Sequence, residues 1–208
     1  MIVDFILFGL AAYLLGSIPT AVWLGKAKYG IDVREHGSKN AGATNTFRVL
    51  GKKPGIVVLF IDIVKGVVAV MLPFLFGVGD WNSDHLIQVK LVCALLAVVG
   101  HVLPLFAGFN GGKGVATSLG VIIGVHPLAA AICLGLFLLV FLISHFVSLG
   151  AIVGASSFPL SIIFIFKETS GWLMAFSIVL SLAVIYAHRK NIGRLLKGGE
   201  NKMNLFKK

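Results

Sequence analysis

Six long apolar stretches dominate the sequence and restrict what the chain can fold into. A helix needs roughly 17–25 apolar residues to cross the hydrocarbon core of a bilayer. Inside that core every backbone N–H and C=O must find a partner within the protein, which helices achieve on their own. The sequence therefore predicts transmembrane helices at residues 3–25, 54–77, 87–107, 128–146, 148–166 and 171–187.

The composition supports an all-α, polytopic integral membrane protein. Hydrophobic residues make up 58% of the 208-residue chain and charged residues only 12%, whereas about 25% of a typical soluble domain is charged. The formal net charge of +10 could suggest a nucleic-acid partner. The basic residues gather beside apolar stretches, however, so we expect no nucleic acid. With no repeat or linker, residues 1–208 are predicted to form a single transmembrane domain.

The distribution of basic residues predicts how the chain crosses the membrane. Residues 26–53 and 188–208 carry seven Lys or Arg each, and cytoplasmic loops collect such residues. A first stretch without a basic start, followed by Lys26 and Lys28, indicates an external N-terminus. An external N-terminus and a cytoplasmic C-terminus need an odd number of crossings. The short apolar stretch 115–125 is therefore predicted to be the additional helix of a seven-helix protein rather than a re-entrant loop.

Two polar segments on the predicted cytoplasmic face have the chemistry of an anion site. Residues 36–48, HGSKNAGATNTFR, combine small residues with hydroxyl and amide groups, and Arg48 offers a fork suited to phosphate oxygens. The turn 108–114, GFNGGKG, places Lys113 among glycines at the start of a helix. Glycines let a backbone approach a ligand and present N–H groups to it, and helix N-termini favour anions. The simpler interpretations are a polar loop and a flexible turn with an interfacial lysine.

Further candidates lie near the same face or within the apolar stretches. His188 and Asn191 are spaced to share one face of a helix, and Ser148 begins the sixth stretch, where a helix N-cap is the simpler interpretation. Asp62 and Lys65 lie inside the second stretch, and we expect a structural ion pair because isolated charges in a membrane are costly. No G-x-S-x-G or H-E-x-x-H motif is present. The expected site therefore recognises anions without an obvious general base.

Five segments, in order from end to end, resemble the signature segments of a known enzyme family. They are GSIPTAVWLGK at 16–26, GSKNAGATNTFRVLGKKPG at 37–55, DIVKG at 62–66, GFNGGKGVAT at 108–117 and HRKNIGRLLKGGENK at 188–202. They look like those of the bacterial acyl-phosphate-dependent glycerol-3-phosphate acyltransferases, the PlsY family. The resemblance implies a seven-helix protein of the bacterial inner membrane with its active site facing the cytoplasm. It also implies fatty acyl transfer from acyl phosphate to the 1-hydroxyl of sn-glycerol 3-phosphate, giving lysophosphatidic acid and phosphate.

The resemblance also assigns residues, with no cofactor and no metal. It implies an acyl-phosphate pocket formed by Ser38, Gly42, Ala43, Thr44, Asn45, Gly111 and Gly112. It implies a glycerol-3-phosphate pocket formed by Arg48, Lys113, Ser148, His188 and Asn191. Among these, the expected catalytic residues are Ser38, Arg48, Lys113, His188 and Asn191. Membrane lipid and the enzyme that produces acyl phosphate are the expected partners.

Acyl phosphate is a mixed anhydride with a good leaving group, so positioning and oxyanion donors can do most of the catalysis. We expect the phosphate of the donor to accept the hydroxyl proton, with His188 as the alternative base. A phosphate or organophosphate transporter would also gather cations and glycines, but its site is expected near the membrane midplane. A non-catalytic lipid-binding scaffold would explain the basic tail but not the glycine-lysine turn.

Overall fold

The computed structural model describes residues 1–81 and 83–203, and every regular element in those ranges is helical. The chain divides into two compact units, Met1–Val125 and His126–Lys208. Lys207 and Lys208, which contribute to the predicted basic tail, lie outside the described residues. The all-α class predicted from the sequence is confirmed for the described part of the chain.

In residues 1–81 and 83–125, the first unit has six α-helices, named here in chain order. Its longest helices, α4 and α5, correspond to the second and third apolar stretches. Short 3-10 turns follow α2 at Val33–Glu35 and α5 at Leu105–Ala107. The α-helices are α1 (Ile2–Gly16), α2 (Thr20–Tyr29), α3 (Ala43–Leu50), α4 (Lys52–Leu75), α5 (Asp84–Val102) and α6 (Val115–Val125).

The second unit, described as far as residue 203, has four α-helices and a π-helical turn at Ser161–Ile165 that extends α8. The helices α9 and α10 meet at His188 with a bend of 60°. Their bounds are α7 (Pro127–Ser144), α8 (Val147–Leu160), α9 (Gly171–Ala187) and α10 (Arg189–Leu196).

The first apolar stretch is a broken helix rather than the continuous one predicted over 3–25. The segment Ile2–Tyr29 is long and apolar enough to cross a membrane, but α1 ends at Gly16 and α2 begins at Thr20. The break includes Pro19, which has no N–H to continue a helical ladder. The Lys65 ammonium donates to the Ile18 carbonyl at 3.0 Å. The Ile18 carbonyl, which also accepts from the Thr20 N–H at 3.1 Å, thus has a second donor in a buried charge.

Five helical segments could each cross a membrane, and the α9–α10 pair would be a sixth if it counts as one span. Helix α6 covers only 11 residues. At about 1.5 Å per residue it is roughly 16 Å long, about half the thickness of a hydrocarbon core. Several apolar spans are thus confirmed by length and composition in residues 1–81 and 83–203, while the seventh crossing stays a prediction.

Helices of the first unit approach each other closely at glycines. A Cβ atom on Gly120 of α6 would overlap the Ile63 carbonyl oxygen of α4, and one on Gly16 of α1 would overlap the Ala97 carbonyl oxygen of α5. Small residues permit such approach between membrane helices, where van der Waals packing drives association. These contacts hold α6 against α4 and α1 against α5, and so position the turns beside these helices.

Candidate active site

Asn45 organises the small-residue loop that precedes α3. Its Oδ1 accepts hydrogen bonds from the Ser38 N–H at 2.8 Å and the Ser38 hydroxyl at 3.0 Å. Its Nδ2 donates to the carbonyls of Val33 at 2.7 Å and His36 at 3.1 Å. These bonds use the two acceptor and two donor positions of the amide. In this structure the buried amide therefore shapes the loop and leaves Ser38 exposed at its surface.

The loop leads into α3, whose first turn has the form of an anion-binding helix end. Gly42 is the N-cap residue and has no side chain to cap the helix. The backbone N–H groups of Asn45 and Thr46 donate to the Gly42 carbonyl, each at 3.1 Å. Ala43 and Thr44 occupy the first two positions, where backbone N–H groups have no helical acceptor. Arg48 lies on the exposed side of the same helix, so donors and a cation share one short element.

An aspartate–arginine pair ties this polar segment to the glycine turn. The Asp32 carboxylate accepts from the Arg34 guanidinium at 2.8 and 3.0 Å and lies 3.2 Å from the Lys26 ammonium. The hydrogen bonds from Arg34 outweigh the effect of burial and hold the pKa of Asp32 well below its usual range. Arg34 also donates to the Ala107 carbonyl at 2.8 Å. From the sequence, Arg34 is expected only as a cytoplasmic charge, although the Asp-x-Arg spacing is a signal for the pair.

The glycine turn packs against the C-terminal end of α5. The N–H groups of Gly111 and Gly112 donate to the carbonyls of Val102 at 3.2 Å and His101 at 3.1 Å. The last carbonyls of a helix have no partner within it, so the turn caps α5. A Cβ atom on Gly111 would overlap the His101 carbonyl oxygen. These two glycines therefore allow close packing of the turn against α5. Lys113 follows them directly.

A buried polar cluster lies beside the same turn. The Lys65 ammonium is 2.8 Å from the Asp62 carboxylate, which also accepts from the Thr20 hydroxyl at 3.2 Å. Both charged side chains are less than 5% exposed, so the ion pair predicted within the second apolar stretch is confirmed. A small cavity beside the pair is also bordered by Ala41 of the polar loop and Gly111 of the turn.

In the second unit, Glu200 gathers two of the predicted site residues. Its Oε1 accepts from the Ser148 hydroxyl at 2.9 Å and the Asn191 amide at 2.7 Å, and its Oε2 accepts from Arg194 at 2.7 Å. Burial raises the pKa of Glu200, but the hydrogen bonds from Arg194, Asn191 and Ser148 outweigh it and lower the pKa. Ser148 is the second residue of α8 and not its N-cap, which is Phe146.

His188 sits at the bend between α9 and α10 and is only 3% exposed. Its Nδ1 lies 2.8 Å from the Val184 carbonyl oxygen. A carbonyl can only accept, so Nδ1 carries the proton of this bond. In the neutral ring, Nε2 is then the nitrogen that carries no proton. Among residues 1–81 and 83–203, no group of three His, Cys, Asp or Glu side chains could hold a metal ion.

Comparison with known proteins agrees with the resemblance drawn from the five sequence segments. A family model described as glycerol-3-phosphate acyltransferase matches residues 6–198. The chain is 42% identical to the glycerol-3-phosphate acyltransferase of Pelodictyon phaeoclathratiforme, over 95% of each sequence. It is 44% identical to that of Listeria monocytogenes serovar 1/2a, over 98% of each.

The fold agrees as well. The chain matches a crystal structure of PlsY (YgiH), an integral membrane glycerol 3-phosphate acyltransferase, in its glycerol 3-phosphate form. That match has a TM-score of 0.86 and 38% identity, and covers 98% of this chain and 99% of the other. The match to the lysophosphatidic acid form has a TM-score of 0.82 and 37% identity, and covers 96% of this chain and 95% of the other. Because the matches run along nearly the whole sequence, this chain belongs to the glycerol-3-phosphate acyltransferase family.

Proposed function

We propose that this protein transfers a fatty acyl group from acyl phosphate to the 1-hydroxyl of sn-glycerol 3-phosphate, forming lysophosphatidic acid and inorganic phosphate. The observation that carries the proposal is the end-to-end similarity to PlsY, whose two structures are its glycerol 3-phosphate and lysophosphatidic acid forms. These ligands are an acceptor and a product of such a transfer. Phospholipid synthesis is the process that uses this product.

The proposed donor, acyl phosphate, combines an anionic head with a lipid tail. The exposed Ser38 and the uncapped start of α3 at Gly42, Ala43 and Thr44 offer donors to a phosphate or to the oxyanion that develops on the carbonyl. Asn45 contributes by holding the loop in shape. The glycines Gly111 and Gly112 contribute by allowing the turn that carries Lys113 to seat closely on α5.

Glycerol 3-phosphate requires cations and hydrogen-bond donors for its phosphate and hydroxyl groups. We assign this role to Arg48 and Lys113, whose charges suit a phosphate. Ser148, His188 and Asn191 complete the set with hydroxyl, imidazole and amide groups. In the second unit, Ser148 and Asn191 already donate to one anionic oxygen, that of Glu200. Donors that converge on a carboxylate oxygen have the geometry needed to orient an anionic ligand.

The reaction requires no protein nucleophile. The acceptor hydroxyl oxygen bonds to the carbonyl carbon, and the bond from that carbon to the bridging phosphate oxygen breaks with its electron pair going to phosphate. The departing phosphate takes the hydroxyl proton, so the atoms and charges balance without a cofactor or metal. Positioning the two substrates can supply several kcal/mol, up to roughly 7–11 kcal/mol in ideal cases. If a protein base acts instead, Nε2 of His188 is the atom proposed.

The proposal places the enzyme in the bacterial cytoplasmic (inner) membrane, with seven crossings and its active site on the cytoplasmic side. Residues 1–208 act as one functional domain in this proposal. Membrane lipid surrounds the apolar spans and supplies the phase in which the acyl donor dissolves. The enzyme that makes acyl phosphate is then the expected source of the donor, since a mixed anhydride hydrolyses if it is left free.

A phosphate-release assay tests the proposal. Purified protein in lipid receives palmitoyl phosphate and glycerol 3-phosphate, with and without EDTA, beside Arg48→Ala and Lys113→Ala. We expect release that needs both substrates, survives EDTA and falls at least about 100-fold in each variant, the loss typical of a removed transition-state donor. Folded, lipid-supported protein that releases no phosphate would contradict the enzyme assignment. Uptake of glycerol 3-phosphate or phosphate into vesicles would then be measured.

A further inference from the structure

His101 makes contacts on two sides that the proposed reaction leaves unexplained. It lies in the last turn of α5 and is 6% exposed. On one side, its Nδ1 is 3.7 Å from Oδ1 of Asp62. That oxygen is held by the Lys65 ammonium at 2.8 Å and the Thr20 hydroxyl at 3.2 Å. The imidazole therefore faces a carboxylate of α4 whose position is fixed by Lys65 of the same helix and by Thr20 at the start of α2.

On its other side, His101 meets the glycine turn through both backbone and ring. The Gly112 N–H donates to the His101 carbonyl at 3.1 Å. The Nε2 atom of the ring lies so close to Gly112 that a Cβ atom there would overlap it. The turn can therefore sit where it does only while Gly112 has no side chain and the ring keeps its orientation. Lys113 is the next residue along the chain.

A packing role alone would not require this residue type. A polar ring buried in a membrane helix loses its hydration, and that loss is offset only by polar contacts such as the one with Asp62. An aliphatic side chain could fill the same space without that cost. The small cavity bordered by Asp62, Lys65 and His101 is also bordered by Ala41 and Gly111. The cluster thus adjoins both polar segments of the first unit.

We infer that His101, held by Asp62, is a positioning residue for the acyl transfer: it sets the glycine turn and thereby the place of Lys113. This inference rests on the proposed function. His101 touches no substrate in this account and acts only through the turn. Its removal should therefore resemble a weaker form of the loss of Lys113, rather than a general loss of stability.

A double-mutant cycle between His101 and Lys113 tests the inference. The variants are His101→Leu, Lys113→Arg and both together, with palmitoyl phosphate and glycerol 3-phosphate as substrates. We expect His101→Leu to lower kcat/KM at least about 10-fold, because a misplacement of about 1 Å can cost about 100-fold. In the Lys113→Arg background, His101→Leu should lower kcat/KM by less than about 3-fold more. The effects of residues that act through one another are not additive. Calorimetric binding of glycerol 3-phosphate gives the same cycle if turnover is too slow to measure.

The same helix supplies a matched control. His85 lies near the start of α5 and its Nε2 is 2.8 Å from the Asp4 carboxylate, so His85→Leu also removes a histidine–aspartate contact. We expect its kcat/KM to stay within about 2-fold of wild type, as for surface changes away from a site. Thermal unfolding and gel filtration in detergent report whether each variant is folded.

A second variant keeps the test decisive if His101→Leu does not fold. His101→Asn retains an N–H for Asp62 but loses the ring contact with Gly112. His101→Asn should lower kcat/KM less than His101→Leu does. Its effect should again be non-additive with that of Lys113→Arg. Wild-type activity in a folded His101 variant, or losses that multiply with those of Lys113→Arg, would overturn the positioning role. An inactive wild-type protein would instead overturn the proposed function.

Discussion

Single residues in this protein hold whole segments through multiple hydrogen bonds, and Glu200 is the clearest example. Its side chain is 4% exposed and accepts from Arg194, Asn191 and Ser148. Nearby, the Met203 N–H donates to the His145 carbonyl at 2.8 Å. The tail after α10 is therefore fastened to the start of α8. A single carboxylate connects three positions, two of which are candidate site residues.

Glu200→Gln should destabilise the second unit and make its stability depend less on pH. The change removes charge-assisted acceptance from Arg194, so we expect a loss of about 1–3 kcal/mol at pH 7. Because the pKa of Glu200 is lowered by its partners, its contribution is full above the unfolded-state pKa of 4.5 and is lost as pH falls through the lower folded value. Thermal unfolding in detergent between pH 3 and pH 7 measures both effects.

The exposed carboxylate of Glu35 provides the control for this prediction. Glu35→Gln should shift the unfolding temperature much less at pH 7, because exposed ion pairs contribute about 0–1 kcal/mol. A Glu200→Gln variant that unfolds like wild type across this pH range would show that the tail contributes nothing to the stability of the second unit.

At the scale of elements, backbone contact between α4 and α6 keeps the short helix α6 in place. Gly66 of α4 faces the Thr117 carbonyl, and Gly120 of α6 faces the Ile63 carbonyl. With only 11 residues, α6 offers a short surface for packing. Close approach replaces side-chain bulk with many short van der Waals contacts. The turn that carries Lys113 leads directly into this helix.

Gly120→Ala should separate α4 from α6 and destabilise the first unit. A methyl group there would overlap the Ile63 carbonyl, and overpacking typically costs about 1–3 kcal/mol. The matched control is Gly135→Ala in α7, where a Cβ atom meets nothing within 4 Å. That change should be neutral or stabilise by up to about 1 kcal/mol, because Ala favours a helix over Gly. Thermal unfolding compares the two, and equal midpoints would contradict the close-packing account.

At the scale of the whole molecule, the orientation in the membrane rests on the distribution of basic residues and on the number of crossings. Five segments of the described chain could cross a membrane individually, and α9 with α10 could form a sixth. The proposed cytoplasmic tail needs α6 as a further crossing. Whether this short helix reaches both faces determines whether the basic tail lies on the same side of the membrane as the glycine turn.

Cysteine labelling of intact cells tests this topology. Cys93 and Cys133 are both buried, and replacing them by Ala leaves a background in which single new cysteines report their own side. Asp80→Cys should react with an impermeant maleimide from outside, whereas Lys197→Cys should react only after the membrane is opened. Labelling of both positions from outside would show an even number of crossings between them and the re-entrant form of α6.

The sequence alone determined the membrane class, the family and most candidate residues. The length of an apolar stretch is visible in the sequence, and that length decides whether a helix can cross a bilayer. Five ordered segments are enough to indicate the family. The ion pair of Asp62 and Lys65 was also predictable, because two opposite charges three residues apart share a helix face. Spacing within one helix is sufficient for inferences of this kind.

Only the tertiary structure decided what the polar groups do. The four hydrogen-bonding positions of the Asn45 amide serve its own loop. The N–H groups of Gly111 and Gly112 cap α5. Arg34, His101 and Glu200 act on segments that are distant in sequence. The residue type determines which hydrogen bonds a side chain can make. The fold determines the partner, because donors and acceptors far apart in the chain compete for the same group.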